Sequence, residues 1–208
     1  MTASARIGEA RVGEDRRYVR SQVNPDSSRR HFGHALAEAY SGAATTAGIE
    51  VRTIDIAALD FPILRTKENW TTGRPPECIR ESQEAIAWAD HVVLFFPLWL
   101  GGMPALLKAY LEQVFRPGYA MQEAAPGRMW KKLLTGRSAR IVVTMGMPAW
   151  YYRWFYFAHS LKSLERNILA FSGIGPIRDS VIGTVESPDT RHRESWLAEM
   201  RKLGGRGK

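Results

Sequence analysis

The chain has 208 residues, 45% of them hydrophobic, a formal net charge of +8 and one cysteine. That length and apolar content suffice for one good-sized domain and exclude wholesale disorder. The longest apolar run, Val92–Leu100, is about half the ~20 residues a membrane span needs, with no signal-peptide pattern before it. Cys78 alone excludes an intrachain disulfide and fits a reducing cytoplasm, the expected localisation. The charge does not point to nucleic acid. Residues 1–31 carry seven arginines against four acidic residues, and residues 191–208 six basic against two, so the body between is nearly neutral. Solvated ends of this kind attract anionic cofactors or a membrane surface weakly, so peripheral membrane contact is an expected possibility beside a small-molecule acceptor.

Residues 1–17 lack apolar periodicity and are expected to be a disordered leader, ahead of a single domain over 18–203. Tyr18–Val23 occupies the place of a first strand. A central parallel strand is buried on both faces and reads as continuous Val, Ile and Leu, whereas here Arg20, Ser21 and Gln22 interrupt it. Asn24–Ser28 is a turn cluster. A helix follows through Ala35, Leu36, Ala39 and Tyr40 to about Ala47, with Gly48 as its stop. Val51–Ile56 alternates as a second strand, Leu59–Leu64 is a connection, Arg65–Pro76 a surface loop and Glu77–Ala89 a helix.

Val92–Phe96 is a short apolar strand ended by Pro97. After Gly101, Gly102 and Pro104 the apolar positions become Leu106, Leu107, Tyr110, Leu111, Val114 and Phe115, a helical stripe stopped by Gly118. Met121–Thr135 reads as an excursion with one helical turn. Ala139–Met145 is a strand, Ala149–Phe171 a long aromatic helix, Ile174–Ile182 the last strand, Thr190–Leu203 the terminal helix and Gly204–Lys208 a basic tail. Strands and helices alternate, so the class is α/β with a parallel sheet.

Three segments carry chemistry. Pro97–Gly102 leaves a strand at its carboxyl end, where open α/β sheets bind ligands, and offers backbone N–H groups and the flat ring of Trp99. Ser27–Gly33 precedes the first helix, whose N-terminus favours phosphate, and brings Ser28, Arg30 and His31 to it; ordinary N-capping by a serine is the other reading. Trp150–His159 is densely aromatic and suits a substrate wall, a subunit interface or a membrane surface. The histidines show no metal-ligand spacing, so no metal is expected. There is neither a G-x-S-x-G elbow nor a P-loop.

The stretch PLWLGGMPALLKAYLEQVFRPGYA, residues 97–120, resembles the signature of the flavodoxin-like NAD(P)H:quinone oxidoreductase family. The resemblance implies a flavodoxin-like doubly wound fold of five parallel strands with helices on both faces. It implies flavin contacts from Pro97, Leu98, Trp99, Leu100 and Gly101, and a second ring-contacting loop with Thr144, Gly146 and Met147. Ser28, Arg30, His31 and Phe32 map onto the family's flavin-phosphate segment. Tyr151, Tyr152 and His159 are the candidates for steadying charge on the reduced flavin. The implied activity is hydride transfer from NAD(P)H through the flavin to a quinone-like acceptor. FMN is favoured, with FAD as the alternative, because no adenine-binding insert is visible. An azo- or nitroreductase on the same flavin is one alternative, and a regulatory subunit of a membrane ion-efflux system another. A homodimer with the active site near its interface is implied too. The sequence departs from the family at Val23-Asn24, where His-Pro is usual, and at Met147, where a second glycine is usual. The poor first strand adds the expectation that an altered upstream segment replaces the family's own strand and leaves the phosphate loop badly supported.

Overall fold

The computed structural model describes residues 16–25, 30–122 and 130–207. The expected leader up to residue 15, and Ser27 and Ser28 of the phosphate segment, lie outside the described residues.

Five strands form one parallel sheet: β1 (Arg17–Gln22), β2 (Glu50–Asp55), β3 (His91–Pro97), β6 (Ser138–Thr144) and β7 (Ile177–Ile182). Their order is β2-β1-β3-β6-β7. β3 and β6 are apolar on both faces because both faces are covered. One face carries α1 (Phe32–Thr46) and α7 (Thr190–Arg206), which bury Leu36, Tyr40 and Met200 against Tyr18, Val93, Phe95 and Val142. The other carries α3 (Glu77–Trp88) and α4 (Ala105–Val114), which bury Ile79, Ile86, Leu107 and Leu111 against Val19, Val92, Leu94 and Ile141. The sheet and its class stand as the sequence predicts.

β1 corrects the expectation of a damaged strand. It pairs with β2 on one side and β3 on the other, and Tyr18, Val19, Ser21 and Gln22 are all buried. Arg20 is half-buried under α1, where its Nη1 donates to Ser41 Oγ at 3.5 Å. Burial lowers the guanidinium pKa from its usual range, against the pull of Glu38 and Asp55. The long aliphatic stem packs while the charged end finds α1, which is how an arginine survives in an internal strand.

Several boundaries differ from the pattern. A short helix, α2 (Lys67–Thr71), stands inside the expected loop, capped by Thr66, which accepts from Asn69 N–H. At the two ends of the expected excursion, β4 (Met121–Gln122) pairs antiparallel with β5 (Lys131–Lys132), and the stretch for the helical turn at 123–129 lies outside the described residues. Helix α4 ends at Val114, and Gly118 serves the turn beyond it at φ +85°.

The aromatic segment is not one helix. α5 (Ala149–Trp154) stops before Phe157 and Ala158, both at φ +51°, and α6 (His159–Ser163) then leads into a π-helical turn at Leu164–Ala170. A left-handed residue cannot extend a right-handed helix. The terminal helix runs on to Arg206 because Gly204 is a contact and not a stop. A Cβ there would lie 2.1 Å from the carbonyl oxygen of Tyr40, so the missing side chain lets α7 rest on α1.

Candidate functional site

In this strand order the connection from β1 runs outward to β2 on one side, and the connections from β3 run to β6 and β7 on the other. The carboxyl ends of β1 and β3 therefore open a crevice, the place where such sheets bind ligands. A cavity of about 760 Å³ lies there.

Its floor and one wall come from Pro97, Leu98 and Trp99, which leave β3. Trp99 and Gly102 exchange both backbone hydrogen bonds at 2.9 Å, with Leu100 at φ +48° and Gly101 at φ +74° between them. Two successive positive φ values define a type I′ turn, which suits glycine and asparagine and strains a leucine. The turn raises Leu100 clear of the protein and leaves the indole of Trp99 about half exposed at the rim.

The facing loop, Thr144–Gly146, is bound to the last strand and to the segment just beyond it. Met145 N–H donates to Ile182 O at 2.9 Å, Val185 N–H to Met145 O at 3.2 Å and Thr184 N–H to Met147 O at 3.1 Å. The N–H groups of Leu98, Trp99 and Met145 are thus used by the backbone itself. Among the described residues Gly146 N–H takes no partner, and Gly146 lines the cavity.

The third side is the start of α1. His31 is the N-cap residue, and its backbone N–H donates to His34 Nδ1 at 3.1 Å while the two imidazoles stack with centroids 5.9 Å apart. Phe32 lies under the guanidinium of Arg193 from α7, 6.0 Å from ring centre to Cζ, and Arg193 Nη2 donates to Val185 O at 3.0 Å. Arg30 reaches the cavity and forms an ion pair with Glu38 on the exposed side of the helix.

Of the residues picked from sequence, the structure gathers Arg30, His31, Phe32, Pro97, Leu98, Trp99, Thr144 and Gly146 around one cavity. Leu100, Gly101 and Met147 belong to the same loops but do not line it. Tyr151, Tyr152 and His159 do not line it either. Tyr152 is wholly buried, its hydroxyl accepting from Leu161 N–H at 3.3 Å. Tyr151 stacks on Phe155, centroids 4.9 Å apart, and meets Tyr156 edge-on. His159 is exposed beside Phe157. Tyr156 brings this segment to the rim, its ring 3.6 Å from the point a Cβ would occupy at Gly101.

Sequence reasoning missed Val185, Glu186 and Arg193. The signal available for them was position alone: they come after the last strand, at the carboxyl end of the sheet. Among the described residues no cluster of three metal-ligating side chains occurs.

Comparison with known proteins agrees with this architecture. The model of the flavodoxin-2 family, described as a flavodoxin-like fold, matches residues 22–203. A Haemophilus influenzae protein named "Uncharacterized NAD(P)H oxidoreductase" is 29% identical over 175 residues, covering 82% of this chain and 86% of that protein. The solved NAD(P)H:quinone oxidoreductase from Methanothermobacter marburgensis superposes with a TM-score of 0.77 at 22% identity, over 94% of this chain and 100% of that one. An FMN-dependent NADH-azoreductase from Bacillus anthracis, solved in complex with FMN, superposes at 0.72 and 16% identity, over 92% and 98%. At such identities the two structures show likeness of fold alone. With the family model spanning β3, the cavity loops and both helical layers, the chain belongs to the flavodoxin-2 family of flavodoxin-like proteins.

Proposed function

We propose that this protein is a flavin-dependent NAD(P)H oxidoreductase that uses FMN and reduces a quinone-like acceptor. The observation that carries the reading is the cavity at the carboxyl ends of β1 and β3. It combines an aromatic rim at Trp99, an unpaired N–H at Gly146 and a helix N-terminus with Arg30 and His31. These residues fit a planar ring joined to a phosphate, and about 760 Å³ falls in the range of small-molecule sites. The name of the Haemophilus relative supports NAD(P)H as co-substrate, and the names of the two structural neighbours support FMN and a quinone.

Bound there, FMN would supply the redox chemistry, hydride acceptance from a nicotinamide and delivery of two electrons to the acceptor. The chain supplies position. Leu98 and Trp99 would hold the ring, Gly146 N–H would stabilise negative charge on it, and the α1 N-terminus would hold the phosphate. The sheet fixes these groups before ligand arrives, so little reorganisation is needed.

An azo compound in place of the quinone is the second reading, favoured by the azoreductase neighbour. For assembly, the reading is a homodimer. Trp150, Trp154, Phe155 and Phe157 are strongly exposed in one short segment, and clustered exposed aromatics of this kind mark interaction surfaces. Sedimentation of the purified protein tests this.

The functional test is an absorbance spectrum with added FMN or FAD, followed by NADPH and then a soluble quinone. A visible flavin band that NADPH bleaches and the quinone restores is expected. A protein that takes up neither flavin sinks the reading.

A further inference from the structure

The hairpin that carries Trp99 is tied to the rest of the chain by one side chain. Trp99 and Gly102 use each other's N–H groups, and Pro104 has none to offer. That leaves Met103, whose N–H donates to Ser160 Oγ at 3.1 Å. Among the described residues, no other side chain hydrogen-bonds to residues 99–103. The same hydroxyl oxygen lies 3.7 Å from the point a Cβ would occupy at Gly102, and the Tyr156 ring lies 3.6 Å from that point at Gly101. The corner between α5 and α6 therefore packs directly against the turn of the hairpin.

Ser160 is itself fixed. The buried Tyr152 brackets it: the tyrosine carbonyl accepts from Ala158 N–H at 3.2 Å and its hydroxyl from Leu161 N–H at 3.3 Å. Phe157 and Ala158 turn the chain here in left-handed backbone, which persists in such residues where the surroundings hold it. The hairpin, by contrast, is a two-residue turn with a strained and fully exposed leucine at its tip. Without an outside tie, a loop with so few contacts opens locally. We infer that Ser160 is a positioning residue that, through Met103 N–H, locks the Trp99 hairpin in the place where the rim receives a planar acceptor. This inference rests on the flavin reading of the cavity and adds to it the residue that fixes the acceptor side. Leu98 is tied separately to Thr144 O, so the inner end of the loop keeps its place without Ser160. A hairpin that is in place only part of the time weakens apparent acceptor binding by that fraction, and the complex, once formed, reacts as before.

The test compares the wild type with Ser160→Ala and Ser160→Thr. One readout is amide hydrogen exchange at Met103 in the flavin-free protein. The other is the steady-state kinetics of the FMN-loaded enzyme with NADPH and menadione. Ser160→Ala is expected to speed Met103 exchange and to raise the menadione KM, each about fivefold, the scale of one neutral hydrogen bond. The kcat and the FMN Kd are expected to stay within about twofold. Ser160→Thr keeps an acceptor oxygen and is expected to restore both readouts. Alanine is a better helix former than serine, so the fold should survive the substitution. Faster exchange with an unchanged KM overturns the assignment and leaves the bond a structural one. A raised KM with unchanged exchange overturns it as well, because the acceptor then senses Ser160 by another route. A matching rise in the FMN Kd overturns it too and makes the hairpin a flavin clamp. Wild-type protein that binds no flavin, or binds it without reducing menadione, overturns the assignment together with the reading beneath it.

Discussion

Leu98 N–H donates to Thr144 O at 2.7 Å, joining the loop that leaves β3 to the end of β6. The bond continues the sheet one step past the register pair Pro97 and Thr144. The two loops that the proposed function assigns to the ring are therefore one piece, and a disturbance in either reaches both.

Gly183 is where such a disturbance is easiest to apply. A Cβ there would lie 2.4 Å from Ala149 N and 2.7 Å from Met147 O. Gly183→Ala must push the 147–149 segment outward. We expect a loss of about 1–3 kcal/mol in stability and weaker FMN binding, read by thermal melting and flavin titration of the same preparation. A variant with unchanged melting and affinity would show that the segment yields freely.

Leu100 makes the opposite case. It is fully exposed and sits at φ +48° in a type I′ turn. Leu100→Asn, followed by Gly101, gives the turn its preferred dipeptide and should raise stability by about 1 kcal/mol. If the leucine serves a contact beyond its own chain, the same variant should lose quinone turnover while its FMN affinity stays level. Urea unfolding and steady-state kinetics separate the two effects.

Arg20 tests what burial costs a charged side chain in an internal strand. Its Nε is buried without a partner, and burial already weakens its hold on the proton. Arg20→Met removes that cost and keeps the packing stem, with an expected gain of about 1 kcal/mol. A clear loss in urea unfolding would mean that the guanidinium's pull on Ser41 and Glu38 outweighs its desolvation.

His91 sets a pH dependence. It is buried at the amino end of β3, with Nδ1 2.7 Å from Ser138 Oγ, and burial followed by the charges of Arg140 and Arg178 lowers its pKa to about 4 from 6.5. The folded state holds the imidazole neutral while the unfolded chain protonates it. Stability from this residue is therefore full above pH 6.5 and lost as pH falls toward 4, by about 3 kcal/mol at most. Unfolding free energies from about pH 7.5 to about pH 4.5 should fall in the wild type and stay flatter in His91→Phe.

The sheet and the central loop were legible because their cues are local. Pro97 ends an apolar run, and the helical stripe begins after Pro104. β1 was harder to read, since Arg20 is made tolerable by Ser41, twenty-one residues away on a helix. The break in the aromatic segment had no cue either. Phe157 and Ala158 take left-handed backbone that neither residue type advertises, and no glycine or proline stands near to mark the break. The carboxylate at 186 was hidden for a third reason. Its approach to Gly146, with the carboxyl carbon 3.5 Å from the point a Cβ would occupy there, depends on the pairing of β6 with β7, a contact between strands that sequence spacing does not encode.

The cavity draws on residues from Gln22 to Arg193, close to the whole length of the chain. During synthesis, β1 leaves the ribosome long before β3, the strand it pairs with at the crevice. The wall at Arg193 comes later still. A nascent chain must therefore carry an incomplete, partly polar sheet through most of its translation, and it gains the ability to hold a ligand only near the end. Ligand capture should accordingly stabilise only the last folding step, with no protection for the intermediates before it.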